Sequence, residues 1–172
     1  AGKTLAGLQA LVGDGVRLVR VMPNLALQVG AGMSAFCRGP KARAADGAVV
    51  RRILGAAGRV NELAEEHFDA VTALSGSGPA FFVYALQALA DGAAAEGLPP
   101  GTARLLAAQT MLGAAKVLLE TGQDPAAFIQ AVASPQGTTA AGLAVLEKSA
   151  LRGILARTVR AAARRSAALS RA

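Results

Sequence analysis

With 172 residues, a net charge of +7, one cysteine and one histidine, the chain has room for one domain, or a domain and part of another. Those counts exclude an internal disulfide framework and a two-histidine metal site, and the lone Cys37 suits a reducing cytoplasm. The apolar fraction of 53% is mostly Ala and Leu, with no Trp and Tyr84 the only Tyr, a composition for closely packed helices rather than base stacking.

In chain order, Thr4 to Val12 reads as a short amphipathic helix with Leu5, Leu8, Leu11 and Val12 on one side. Gly13-Asp14-Gly15 is a turn. Val16 to Met22 is β-branched and apolar, a buried strand stopped by Pro23-Asn24. Met33 to Cys37 is a second strand, Lys41 to Ala57 a helix, and Arg59 to Leu63 a third strand. Strand–helix alternation predicts a mostly parallel sheet. From Glu65 the strand patterns vanish. Helices are predicted over Glu65–Ala73, Pro79–Glu96, Thr102–Thr121, Asp124–Val132, Ala140–Lys148 and from Leu151 onward. The fold class is therefore an α/β remnant over residues 1–64 followed by an all-α domain over residues 65–172. Two or three short strands do not stand alone, and the chain opens at Ala1-Gly2 without Met. An N-terminal α/β half is therefore expected ahead of it, and the chain by itself is expected to be inactive.

The helix over Thr102–Thr121 carries Leu105, Ala108, Leu112, Ala115 and Leu119 along one stripe, widened by Leu106, Val117 and Leu118. A helix this apolar must be covered on several sides. A partner subunit is the natural cover. Two segments carry no charge, one between Asp69 and Asp91 and one between Asp124 and Glu147. Each is broken in the middle by Ser, Gly and Pro, which marks buried interior rather than a membrane span. Six of the 18 basic residues lie in the last 21, with Arg157, Arg160, Arg164 and Arg171 on one helix face. That reads as a solvated face, not a nucleic-acid surface.

The polar atoms available for chemistry sit in two hydroxyl-rich stretches, Ser75-Gly76-Ser77-Gly78-Pro79 and Ser134-Pro135-Gln136-Gly137-Thr138-Thr139. Each precedes a helical pattern. The first N–H groups of a helix lack partners and face the positive end of its dipole, so a carboxylate is welcome there. His67 lies among Glu65, Glu66 and Asp69 and reads as a surface histidine. No metal site is expected. No strong acid–base pair and no nucleophile triad is present. The combination suits binding a carboxylate and a small substrate while a cofactor performs the hard step.

These motifs, together with Arg20-Val21-Met22-Pro23-Asn24 and Leu119-Glu120-Thr121-Gly122, resemble the pyrroline-5-carboxylate reductase family, in order and spacing along the whole chain. The resemblance implies a Rossmann domain for NADPH or NADH and a helical domain that forms a homodimer, with higher assembly possible. It implies hydride transfer to the C=N carbon of 1-pyrroline-5-carboxylate, giving proline, in the cytoplasm. It places Thr139 as the catalytic group at the ring nitrogen. Ser134, Gly137 and Thr138 would hold the substrate carboxylate, and Glu65 would be a pocket carboxylate. Ala1, Met22 and Asn24 would line the nicotinamide end of the cofactor site, with Ser77, Gly78 and Pro79 beside it as the pocket floor. Gln136 departs from the family, which usually has Gly there; Leu25-Ala26 replaces Thr-Pro, and Gln130-Ala131 a pair often polar. A reductase of another cyclic imine acid, or a non-catalytic oligomerisation module, are the alternative readings.

Overall fold

The computed structural model describes residues 1–170; Arg171, placed by the sequence on the arginine face of the last helix, lies outside them. The chain forms two compact units. One comprises Ala1–Ala80 together with the chain from Leu155, and the other Phe81–Ile154.

The first unit is built on a three-stranded sheet in the order β1-β2-β3. Helix α1 spans Leu5–Val12, β1 Val19–Met22, β2 Gly32–Arg38, α2 Ala44–Gly55 and β3 Gly58–Glu62. The sheet is mixed rather than mostly parallel. β1 pairs antiparallel with β2, Val19 opposite Arg38 and Met22 opposite Ala35. β2 pairs parallel with β3, Gly32 opposite Gly58. The connections explain this. The link from β1 to β2 holds only a 3-10 turn over Leu25–Val29, too short for a parallel crossover, whereas α2 supplies one between β2 and β3. β1 is also shorter than the apolar run suggests, because the Gln9 side-chain amide donates to the Val16 carbonyl at 3.2 Å and holds that residue in the preceding turn.

β2 is the centre of this unit. Ser34, Ala35, Phe36 and Cys37 are all buried, as expected of a middle strand covered on both faces. Its alternation sorts the core. Ala35 and Cys37 pack with Leu5 of α1 and with Phe68, joined by Leu18, Met22, Leu63 and Val71. Phe36 faces α2, where Gly47 comes so close that a Cβ there would lie 3.2 Å from the Phe36 ring.

The segment expected as one helix over Glu65–Ala73 is three short pieces. They are a 3-10 turn over Glu65–His67, α3 over Phe68–Val71, and a π-helical turn over Thr72–Gly76. Helix α4 then runs over Gly78–Ala95, α5 over Pro100–Thr121, α6 over Pro125–Val132, α7 over Thr138–Lys148 and α8 over Leu151–Leu169. The caps follow the sequence. Asp124 accepts from the N–H groups of Ala126 at 2.9 Å and Ala127 at 3.1 Å, with Pro125 in the first turn of α6. Gly122 closes α5 in the left-handed region.

The second unit has almost no interior of its own. Between Phe81 and Ile154, Ala90 and Ala103 are buried, while Leu105 and Leu112 of the α5 stripe stand 68% and 51% exposed. Leu106, Leu119 and, on α4, Phe82, Val83, Tyr84 and Leu89 are exposed as well. No helix of the described residues is long and apolar enough to cross a membrane.

Candidate functional site

In the second unit the stretch from Ser134 to Thr139 forms a turn leading into α7. Gly137 is the N-cap residue, and its N–H donates to the Ser134 carbonyl at 3.0 Å. No side chain caps this helix. The hydroxyls of Ser134, Thr138 and Thr139 have no hydrogen-bond partner among the described residues. They are therefore not spent on the helix end, contrary to what Ser/Thr ahead of a helix ordinarily does. The first N–H groups of α7 keep their outward capacity. The Ser134 hydroxyl lies directly against the position a Gly137 Cβ would occupy, so only glycine lets it fold over the helix start. Thr139 is half-buried and Thr138 exposed. Gln136 sits at φ 58, the only non-glycine in the left-handed region among the described residues. Left-handed geometry costs a Cβ-bearing residue roughly 1–2 kcal/mol, so the turn needs the conformation of Gly at the position where the resembling family has it.

In the first unit the structure brings Met22, one of the residues implied for the cofactor, against the turn that leads to Ser77. Met22 ends β1, and its Cε lies 2.5 Å from where a Cβ on Gly76 would be. The strand end therefore meets the π-helical turn that leads into Ser77, Gly78 and Pro79. Single π turns frequently mark functional sites. Here the turn directs the Ser77 N–H to the Thr72 carbonyl at 2.8 Å, and the Ser75 hydroxyl to the Val71 carbonyl at 2.9 Å. The Thr72 hydroxyl is buried without a partner. Asn24 uses its side-chain oxygen to accept the Met33 N–H at 3.2 Å, tying the end of β1 to the start of β2. Ala1 is exposed, just ahead of α1.

Glu65 is differently engaged. Its Oε1 accepts from the Leu5 N–H at 2.6 Å and from Arg20 Nη1 at 2.8 Å. The Arg20 side chain is buried, with its guanidinium 4.5 Å from the centre of the Phe68 ring. Sequence reasoning missed this pair. Its signal was present: of the two arginines in the run from Val16 to Met22, one inside a strand read as buried requires a buried partner. The nearby Cys37 thiol is pushed up from 9.0 to about 11, by burial first and by the Glu65 carboxylate next, with Arg20 opposing and Glu62 adding. His67 is exposed, 3.7 Å from Glu66. Among the described residues no group of three His, Cys, Asp or Glu side chains is placed to hold a metal ion.

An α/β part with a three-stranded sheet is followed by a helical part with a hydroxyl-lined helix start. The model of pyrroline-5-carboxylate reductase dimerisation matches residues 65–169. The pyrroline-5-carboxylate reductase of Arabidopsis thaliana is 47% identical over 170 residues, covering 99% of this chain and 61% of that protein. A pyrroline-5-carboxylate reductase structure from Coxiella burnetii superposes with a TM-score of 0.94 at 36% identity, over 98% of this chain and 63% of that one. The Plasmodium falciparum pyrroline carboxylate reductase, solved with NADP bound, superposes with a TM-score of 0.90 at 30% identity, over 98% and 68%. The chain belongs to the pyrroline-5-carboxylate reductase family. It spans about three fifths of the length of the curated relatives it matches.

Proposed function

We propose that this chain carries the substrate-binding half of a reductase that converts 1-pyrroline-5-carboxylate to proline, the last step of proline biosynthesis. The observation that carries the reading is the start of α7, where unspent N–H groups and hydroxyls converge without a cap. The Thr138 N–H and the Ser134 hydroxyl hold the substrate carboxylate, aided by the helix dipole; Gly137, expected to donate as well, spends its own N–H on the Ser134 carbonyl and serves instead by admitting the Ser134 side chain. Thr139, the residue after Thr138 along α7, hydrogen-bonds the ring nitrogen and relays the proton it gains on reduction. NADPH or NADH, when bound, supplies the hydride that the C=N carbon accepts. Ala1, Met22, Asn24, Ser77, Gly78 and Pro79 would hold its nicotinamide end; the meeting of Met22 with Gly76 supports one continuous surface for it.

Residues 1–64 are read as the end of the nucleotide-binding domain and residues 65–172 as the dimerisation and substrate domain, a division supported by a family match that begins at residue 65. The bare apolar faces of α4 and α5 support a homodimer, and the lone buried thiol supports a cytoplasmic setting. Without a complete nucleotide-binding domain the 172 residues do not turn over alone.

The test is Thr139→Ala in the enzyme carrying its nucleotide-binding half. Turnover is expected to fall on the order of 100-fold, with oligomer and melting temperature unchanged. Unchanged turnover, with a stability loss of about 1 kcal/mol as for a lost cap, would instead mark a plain oligomerisation module.

A further inference from the structure

We infer that Arg20 and Glu65 are a positioning pair that sets the cofactor end of the site by fixing the segment Ala1–Thr4 against the end of β1. The inference rests on the proposed placement of the nicotinamide end at Ala1 and Met22. It replaces direct substrate contact as the task of Glu65.

The geometry is a single-atom junction. Glu65 Oε1 receives the Leu5 N–H, which begins α1, and Arg20 Nη1, which lies two residues before Met22 on β1. One carboxylate oxygen therefore joins the two stretches on which Ala1 and Met22 sit, and it does so from the first turn of the 65–172 region. The junction is rigid. Arg20 is buried and stacked on Phe68, which is itself fully buried. A buried guanidinium in that position takes its orientation from the carboxylate it donates to.

The segment ahead of Leu5 is held at further points. Thr4 Oγ1 accepts the Gly7 N–H at 3.0 Å and caps α1. Gly2, at φ 73, lies so close to α8 that a Cβ would come within 2.6 Å of the Leu169 Cβ. Helix α8 is in turn tied to α3 through the Ser166 hydroxyl, which donates to Asp69 Oδ1 at 2.7 Å. Ala1 is thus the exposed end of a short stretch fixed on both sides. Glu65 is the member of that set that also reaches β1. Loosening the junction frees the segment ahead of Leu5 from the end of β1, while the turn at Ser134–Thr139 lies on other elements.

The experiment uses Glu65→Gln in the enzyme carrying its nucleotide-binding half, with cofactor and imine acid varied separately. Gln keeps an acceptor for the Leu5 N–H and removes the charge that orients Arg20. The KM for the nicotinamide cofactor is expected to rise on the order of tenfold, with the KM for 1-pyrroline-5-carboxylate within about twofold of the parent. In the 172-residue chain itself, amide exchange at Leu5 is expected to speed up while α7 is unaffected. If Glu65→Gln unfolds the enzyme, Arg20→Lys serves the same measurements, because it keeps the charge and loses the fork. A rise confined to the KM for the imine acid overturns the inference and returns Glu65 to substrate contact. Unmoved constants in both directions overturn it too. A parent enzyme that does not reduce the imine acid at all removes the underlying functional reading, and the inference with it.

Discussion

The two units of this chain solve burial in opposite ways. The first wraps a sheet whose middle strand is buried from Ser34 to Cys37 and locks it with Phe68, so it has a core of its own even though Leu11, Leu25, Val29 and Ile53 stay exposed around it. The second carries longer helices and a comparable share of Leu and Val, yet Leu105, Leu112 and Leu119 along α5 stay exposed. The difference is not hydrophobicity but topology. A strand between two neighbours has faces that local helices cover. A 22-residue helix that is apolar on several sides presents more surface than its own chain covers. The first unit has a buried core, and the second leaves its longest helix bare.

The largest effect should come from breaking the second half of that contrast. Leu105→Asp together with Leu112→Asp puts two charges on the bare stripe. Self-association, read by sedimentation equilibrium, is expected to weaken on the order of 100-fold or more, while the β-sheet signal of the first unit persists. A dimer of unchanged affinity would mean that α5 is not the covered face. Next, Phe68→Ala removes the ring on which Arg20 stacks and the side chain that closes the first core. Large-to-small changes of this kind cost about 3–5 kcal/mol, and denaturant unfolding should register the loss at equal protein concentration. A loss that vanished on raising the concentration would show that the first unit also leans on a partner. The smallest effect, in the opposite direction, is Gln136→Gly. Relief of left-handed strain, less the entropy of an added glycine, is expected to stabilise the second unit by about 1 kcal/mol. A destabilised variant would mean that the Gln136 side chain makes a contact worth more than the strain.

Much of this was legible from residue order alone. The helices from α4 to α8 fall within two residues of the expected spans, because period, Pro and Gly punctuation and an Asp–Pro cap all agree there. The turn at Ser134–Thr139 ahead of α7 was legible as well, since Ser, Thr and Gly ahead of an apolar run mark a helix start. The mixed sheet was not. Alternating strand and helix patterns say nothing of direction when one connection contains only a 3-10 turn. The π turn at Thr72–Gly76 escaped because its period differs from that of a helix by one residue over five. The Arg20–Glu65 pair escaped for another reason. Its partners are 45 residues apart, and only the fold brings them together.

Cys37 draws a last consequence from the first core. It is the chain's single sulfhydryl, buried in the cluster with Leu5, Ala35 and Phe68, and its ionisation is deferred to about pH 11. Attack on an electrophile needs the thiolate and access to it. At neutral pH both arise only in molecules whose first unit has opened. The chain therefore carries an internal clock: labelling of one sulfur counts openings of the sheet core, and it is silent about whatever covers or uncovers α5.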